Sequence, residues 1–215
     1  MRNIKYMKLL SIMVLVLAVG FSPVMAKDDV TKVPETKLSL WLPDELTPEE
    51  EDEATNEDMF ESFKFDSQKT FAVMAESELT LTVIVFKLPK DHGMSMGNTL
   101  TQASDELVKA FIEDEEMNLE INSKTKATIG VAEIRKMDMT MPIENLKVKF
   151  NTVMIGSKEE IILIMGFFMD DQKEAVEDWN HMIESLIYDE KKASKYLPWD
   201  AKPEPVKPDL SFRLF

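Results

Sequence analysis

The chain has 215 residues, 44% of them apolar and 30% charged, with 25 basic residues against 40 acidic ones and a formal charge of -15. It has no cysteine, which excludes a disulfide scaffold, thiol catalysis, iron–sulfur clusters and cysteine-based zinc sites. Its two histidines are too few for a histidine-rich metal centre, and its net acidity argues against nucleic acid, whose phosphates require a basic surface.

Residues 1–26 read as a secretory signal peptide. Arg2, Lys5 and Lys8 give a positive start, and Leu9 to Phe21 is nearly all apolar. Val24-Met25-Ala26 then carries the small or tolerated residues that a signal peptidase reads. The apolar run is shorter than the roughly 20 residues a bilayer span needs, so no stable span is expected after cleavage. The alternative is an uncleaved membrane anchor. The leader holds three positive charges and no negative one, which leaves -18 on residues 27–215. That length fits one domain, or one domain with a tail, without covalent staples. The expected location is outside the cytoplasm, periplasmic or secreted.

Lys27 to Thr36 is a polar leader segment. Lys37 to Leu42 alternates into a strand that stops at Pro43. Asp44 to Asp58 holds nine acidic residues, so mutual repulsion predicts a solvated acidic loop over 44–58. Met59 to Phe65 and Thr70 to Glu76 read as strands around a turn at Asp66-Ser67-Gln68. In Leu79 to Leu88 one face carries Leu79, Leu81, Val83 and Val85, and the other Thr80, Thr82, Ile84 and Phe86. A strand apolar on both faces belongs near the centre of a sheet.

After a loop at 89–97, Asn98 or Thr99 is expected to cap a helix, with Gln102 completing a capping box. Leu100, Ala103, Leu107, Val108, Phe111 and Ile112 form its apolar stripe. Asn118 to Thr128 predicts strand and turn, and Ile129 to Met141 a strand ended by Pro142. Leu146 to Ile155 and Glu160 to Met169 pair through a turn at Gly156-Ser157-Lys158. The last helix is expected from Asp170 or Asp171, with Glu174 in a capping box. Ala175, Trp179, Met182, Ile183 and Leu186 form its buried face. Residues 189–215 read as a Pro- and Lys-containing tail, and truncation after 188 is expected to leave the fold intact.

Two amphipathic helices need a surface to cover, and a mostly antiparallel sheet needs cover on at least one face. The expected fold class is therefore α+β: about six to seven mostly antiparallel strands with two main amphipathic helices, an α/β/α sandwich. The order of elements resembles the PsbP-like superfamily. The resemblance rests on the strand Leu38-Ser-Leu-Trp-Leu-Pro43, the helix at 99–116 and Ile129-Gly130-Val131 leading into a strand. The hairpin 146–169 and the closing Ile183-Glu-Ser-Leu-Ile187 complete it. It covers residues 36–188 of a single domain at 27–188; the acidic insertion and the tail depart from it. That superfamily includes the extrinsic photosystem II subunit, a eukaryotic Ran-binding nuclear import factor and many exported bacterial proteins of unknown role. The resemblance implies a non-catalytic binding or assembly protein and carries over no site residue.

The sequence lacks a Gly-x-Ser-x-Gly elbow, a phosphate-binding glycine loop and a His-Glu-x-x-His helix. A catalytic triad would require His92 or His181 as its base, and His181 reads as a helix-surface residue. Among 40 acidic residues no carboxylate pair stands out. No enzyme and no cofactor are expected. His92, Met94 and Met96 offer one imidazole and two thioethers within five residues, a donor set for Cu(I). Met137, Met139 and Met141 share a strand face as a second such set; the bland reading of both is packing. Glu49, Glu50, Glu51, Asp52 and Glu53 are candidate contacts for a basic protein partner. Their consecutive spacing without glycine does not match a calcium loop. Tyr196, Trp199, Phe212 and Phe215 are candidate docking aromatics in the tail; the alternative is that the tail packs back on its own domain or is disordered. The expected function is that of an exported non-enzymatic binding or assembly module acting through protein–protein contacts. The alternatives are a periplasmic Cu(I)-binding protein and an enzyme of unrecognised carboxylate chemistry.

Overall fold

The computed structural model describes residues 29–49, 65–90, 95–112, 119–143 and 146–199. Residues 1–26 lie outside them. The elements in chain order are β1 (Thr31–Lys32), β2 (Leu38–Leu40), β3 (Thr47–Pro48), β4 (Ser67–Met74), β5 (Thr80–Lys87), α1 (Met96–Ile112), β6 (Glu120–Ile129), β7 (Ala132–Ile143), β8 (Leu146–Gly156), β9 (Glu160–Met169), α2 (Lys173–Glu184), β10 (Ile187–Tyr188), β11 (Lys191–Lys192) and β12 (Leu197–Pro198). The long strands form one sheet in the order β12-β6-β7-β8-β9-β5-β4-β3, and four short ones form a second, β1-β2-β10-β11. Every recorded strand pair is antiparallel. The α+β class holds, with twelve strands among the described residues instead of about six or seven. The additional ones are pieces of two or three residues, too short to show a period in sequence.

Strand alternation divides the core in two. Val83 and Val85 of β5, Val153 and Ile155 of β8, and Ile162 and Ile164 of β9 point to one face, where Trp179, Met182 and Ile183 of α2 and Leu38, Leu40 and Tyr188 of the small sheet cover them. Ile84 and Phe86, Phe150 and Met154, and Leu163 and Met165 point to the other, where Leu100, Ala103 and Leu107 of α1 close over them. The large sheet thus carries a helix on each face. Its central strands β8 and β9 are apolar on both sides because neither side meets water. Met137, Met139 and Met141 are all buried; the first two lie in the α1-facing cluster, the place of flexible gap-fillers. Gly166 has a steric cause: a Cβ there would stand 2.5 Å from the Trp179 ring, so α2 can rest on β9 only over a glycine.

Several local expectations are corrected. The turn foreseen at 66–68 does not exist, because Ser67 and Gln68 already pair with Lys87 and Phe86. Thr47 and Pro48, inside the acidic stretch, pair with Ala72 and Phe71. Thr99 does not cap α1; the helix begins at Met96, and the Thr99 hydroxyl donates to the Ser95 carbonyl at 3.1 Å. The capping box at Glu174 is absent too. Gln172 stands at the α2 N-cap, and its side-chain oxygen accepts from the Met169 N–H at 2.8 Å. Pro142 continues β7 instead of ending it. Pairing of β7 with β6 stops at Thr140, and the Lys147 carbonyl opposite Pro142 turns away to the Asp170 N–H. The missing proline N–H therefore faces no strand. Finally, the fold continues past residue 188, through β11 and β12 to Trp199.

Candidate functional site: the outer edge of the large sheet

One end of the large sheet is the ten-residue strand β6. Its inner side pairs with β7 over almost its full length, with a bulge between Ile121 and Ser123. Its outer side is covered only in part. The segment 193–199 descends along it: Ser194 N–H donates to the Thr128 carbonyl at 2.7 Å, and Trp199 N–H to the Lys124 carbonyl at 2.8 Å. Between them Leu197 pairs with Lys126 and Pro198 with Thr125. From Glu120 to Ser123 no strand pairs with the outer side among the described residues. Ile121, within this stretch, is 38% exposed, and Leu197, opposite Lys126, is 51% exposed. A partly covered strand end of this kind is the geometry of strand addition.

The tail is anchored there by Trp199, which is 6% exposed and packs into the α1-facing core. The Lys124 ammonium lies 5.5 Å from its ring centroid and the Arg135 guanidinium 5.1 Å, so two cations flank one indole. Arg135, 7% exposed, is paired through Nη2 with Glu133 at 2.9 Å and donates through Nη1 to the Ile134 carbonyl at 3.1 Å. Its buried Nε finds no protein partner. Asp105 on α1 is pushed up by burial, and the Lys124 charge pulls it partly back. Lys126 and Lys195 are exposed beside it. Arg135 is thus paired and Lys124 faces Asp105, while Lys126 and Lys195 have no ion pair among the described residues.

The other sequence candidates fall elsewhere. Glu49 is half-buried at the opposite sheet edge. Its N–H donates to the Thr70 carbonyl at 3.1 Å, and burial pushes its carboxyl up. Glu50, Glu51, Asp52, Glu53, His92, Met94, Phe212 and Phe215 lie outside the described residues. Met96 is the first residue of α1, four residues past His92. Trp199, read from sequence as an exposed docking aromatic, is a buried one, because the tail turns back to close the rim of the core. Tyr196 is half-buried against the α2-facing core; its hydroxyl has no protein partner, and burial pushes it up to about 12. His181 meets the Trp41 ring edge-on at 4.7 Å between centroids. Among the described residues no group of three or more His, Cys, Asp or Glu is placed to hold a metal ion.

Sequence reasoning missed one buried ionic cluster. Glu160, 3% exposed at the start of β9, forms an ion pair with Lys87. It also accepts from the Tyr188 hydroxyl at 3.1 Å and the Lys37 N–H at 3.3 Å. Lys87 in turn donates to the Glu35 carbonyl at 2.5 Å. These contacts tie the small sheet to the large one. Burial, the largest cause, raises the Tyr188 phenol well above its ordinary range. A carboxylate opening the run Ile161 to Met169 was the available signal.

Comparison with solved structures decides the fold. The solution structure of cyanobacterial PsbP (CyanoP) from Synechocystis sp. PCC 6803 aligns with 80% of this chain and 98% of its own at a TM-score of 0.51 and 11% identity. The chain has the PsbP-like fold. A Pseudomonas aeruginosa protein of unknown function, PA94, aligns with 63% of this chain and 91% of its own at a TM-score of 0.38 and 12% identity. No family model matches the sequence, and the search of curated proteins found no match. The PsbP-like fold accounts for the alternation of sheet, helix, sheet and helix. Among the described residues no helix is long and apolar enough to cross a membrane.

Proposed function

We propose that this chain is an exported, non-enzymatic binding or assembly module acting through protein–protein contacts at the outer edge of its large sheet. The carrying observation is β6, a long edge strand whose outer side from Glu120 to Ser123 lacks a paired strand among the described residues and presents exposed Ile121. Main-chain groups there supply affinity to an added strand, and the flanking side chains supply selection. The PsbP-like fold supports a binding role because members of that superfamily are mostly binding or assembly proteins. The leader at residues 1–26 supports export.

The test is affinity capture from envelope extract by the wild-type protein and by Ile121→Lys, at low and high salt. A defined protein retained by the wild type and lost in the variant supports the reading. Equal capture by both, or none by a folded bait, counts against it. The alternative is a Cu(I) carrier using His92, Met94 and Met96. Against it, Met96 opens α1, and a helix N-terminus carries positive partial charge. Stoichiometric Cu(I) uptake lost in Met94→Ala/Met96→Ala would favour that alternative.

A further inference from the structure

We infer that the exposed lysines of the β6 edge receive, through their side chains, the acidic run Glu49–Glu53 of a second copy of this chain. The inference rests on the binding-module reading and names its surface and its partner.

The two edges of the sheet differ in their unpaired charge: Arg135 is paired with Glu133 and Lys124 faces Asp105, which leaves two lysines at the β6 edge. At one, Lys126 and Lys195 are exposed, and neither has an ion pair among the described residues; Lys124 and Arg135 stand behind them around Trp199. At the other, β3 ends at Pro48, and five consecutive acidic residues follow it. The run cannot reach β6 within its own chain. In the strand order six spacings separate β3 from β6, roughly 29 Å at about 4.8 Å each. Glu53 itself, four residues beyond the anchored Glu49, reaches about 14 Å. Charge complementarity between the edges is therefore satisfied between copies.

Such a contact is heterologous, because each copy offers two different surfaces. It leaves one basic and one acidic edge unused in every pair, so association continues into rings or open chains. Net charge opposes it at long range. At about 0.1 M salt, repulsion beyond roughly 10 Å is screened while contact pairs persist; at about 1 M both are screened.

The test is sedimentation velocity of the protein purified from the envelope. The wild type is expected to gain mass with concentration at about 0.1 M salt and to return to monomer at about 1 M. Lys126→Glu/Lys195→Glu removes the basic edge, and Glu50→Gln/Glu51→Gln/Asp52→Asn/Glu53→Gln removes the acidic run. Each variant alone is expected to stay monomeric at concentrations where the wild type associates. Mixed together they are expected to form a one-to-one pair and nothing larger, because each retains the edge the other lacks. Lys126 and Lys195 are exposed, and thermal melting of each variant checks folding. A wild type that stays monomeric throughout, variants that associate like the wild type, or a mixture that does not pair overturns the inference. A monomer that still captures an envelope protein through Ile121 overturns only this inference and leaves the binding-module reading standing.

Discussion

Replacing Trp199 by alanine tests whether the tail is part of the fold. The indole seals the β6-side rim of the α1-facing core, the cluster that also holds Leu100, Ala103 and Met137. Truncating a buried tryptophan to alanine costs about 3–5 kcal/mol, and the flanking Lys124 and Arg135 add about 0.5–2 kcal/mol of cation–π attraction. Two effects oppose this. The site lies at a rim, so water can replace the lost ring and solvate the Arg135 Nε. The segment 193–199 can also detach locally, which caps the loss at what holds it, including the backbone hydrogen bonds at Ser194 and Trp199, each about 1 kcal/mol. The expected net loss is about 3 kcal/mol. In urea, at an m-value of about 2 kcal/mol/M, the unfolding midpoint falls by roughly 1.5 M. Trp199→Phe is expected to recover more than half of that. A midpoint shift below about 0.3 M in Trp199→Ala would refute the reasoning, because an indole that costs so little to remove is not sealing a core. Truncation after residue 188 removes Trp199, Tyr196, β11 and β12 together, so it is expected to destabilise more than the single substitution.

Gly166→Ala drives a Cβ to 2.5 Å from the Trp179 ring and is expected to cost at least about 1–3 kcal/mol, measured by thermal unfolding. Glu160→Gln leaves Lys87 without its anionic partner; Lys87 is partly exposed, so the loss is expected nearer 2 kcal/mol than the 3–5 kcal/mol of a fully buried pair. Tyr196→Phe is expected to be neutral or to stabilise by about 1 kcal/mol at pH 7, since it removes a buried hydroxyl with no protein partner. Its phenol is raised to about 12 when folded. The unfolded chain therefore releases its proton first, and wild-type stability falls from pH 10 to about 12 at up to roughly 1.4 kcal/mol per pH unit. Urea midpoints across that range are expected to fall less steeply in Tyr196→Phe. Asp189 and Glu190 both have positive φ in the tight β10–β11 turn, so Glu190→Gly is expected to raise the melting temperature by relieving about 1 kcal/mol of backbone strain.

What the sequence disclosed about the fold follows from periodicity. Residues 79–88, 146–155 and 160–169 alternate or run apolar over eight or more positions, and each is a strand; Ala175, Trp179, Met182 and Ile183 recur at helical spacing and are buried together. What stayed hidden depends on partners far along the chain. Leu38 and Ser39 pair with Tyr188 and Ile187, about 150 residues away, in strands too short to carry a pattern. Both capping boxes failed because a side chain that can cap is not obliged to: Thr99 bonds back to Ser95, and Gln172 takes the N-cap position. At the candidate site, the aromatics of 189–215 suggested docking on a partner, while Trp199 is buried in its own α1-facing core with Arg135 of β7 over its ring, far from it in sequence. Lys124, Lys126 and Arg135 carry no motif; only the register of β6 against β7 and β12 brings them to one rim.

A sheet that uses both faces for its own core has its edges and hairpin ends left to present. Edges attract unwanted strands, and proteins protect them with short strands, prolines, bulges and lysines. This chain protects its two edges differently. The β3 edge is two residues long and ends in Pro48. The β6 edge is ten residues long and carries a bulge and the lysines at 124 and 126. Lysines reject another lysine-bearing edge and admit an acidic segment, so the same side chains that prevent indiscriminate pairing also select a partner by charge. Such selection acts chiefly on encounter rate and is sensitive to salt, whereas the apolar flank at Ile121 and Leu197 acts on residence time. Substitutions at Lys126 should therefore slow association with little change in dissociation, and substitutions at Ile121 should do the reverse.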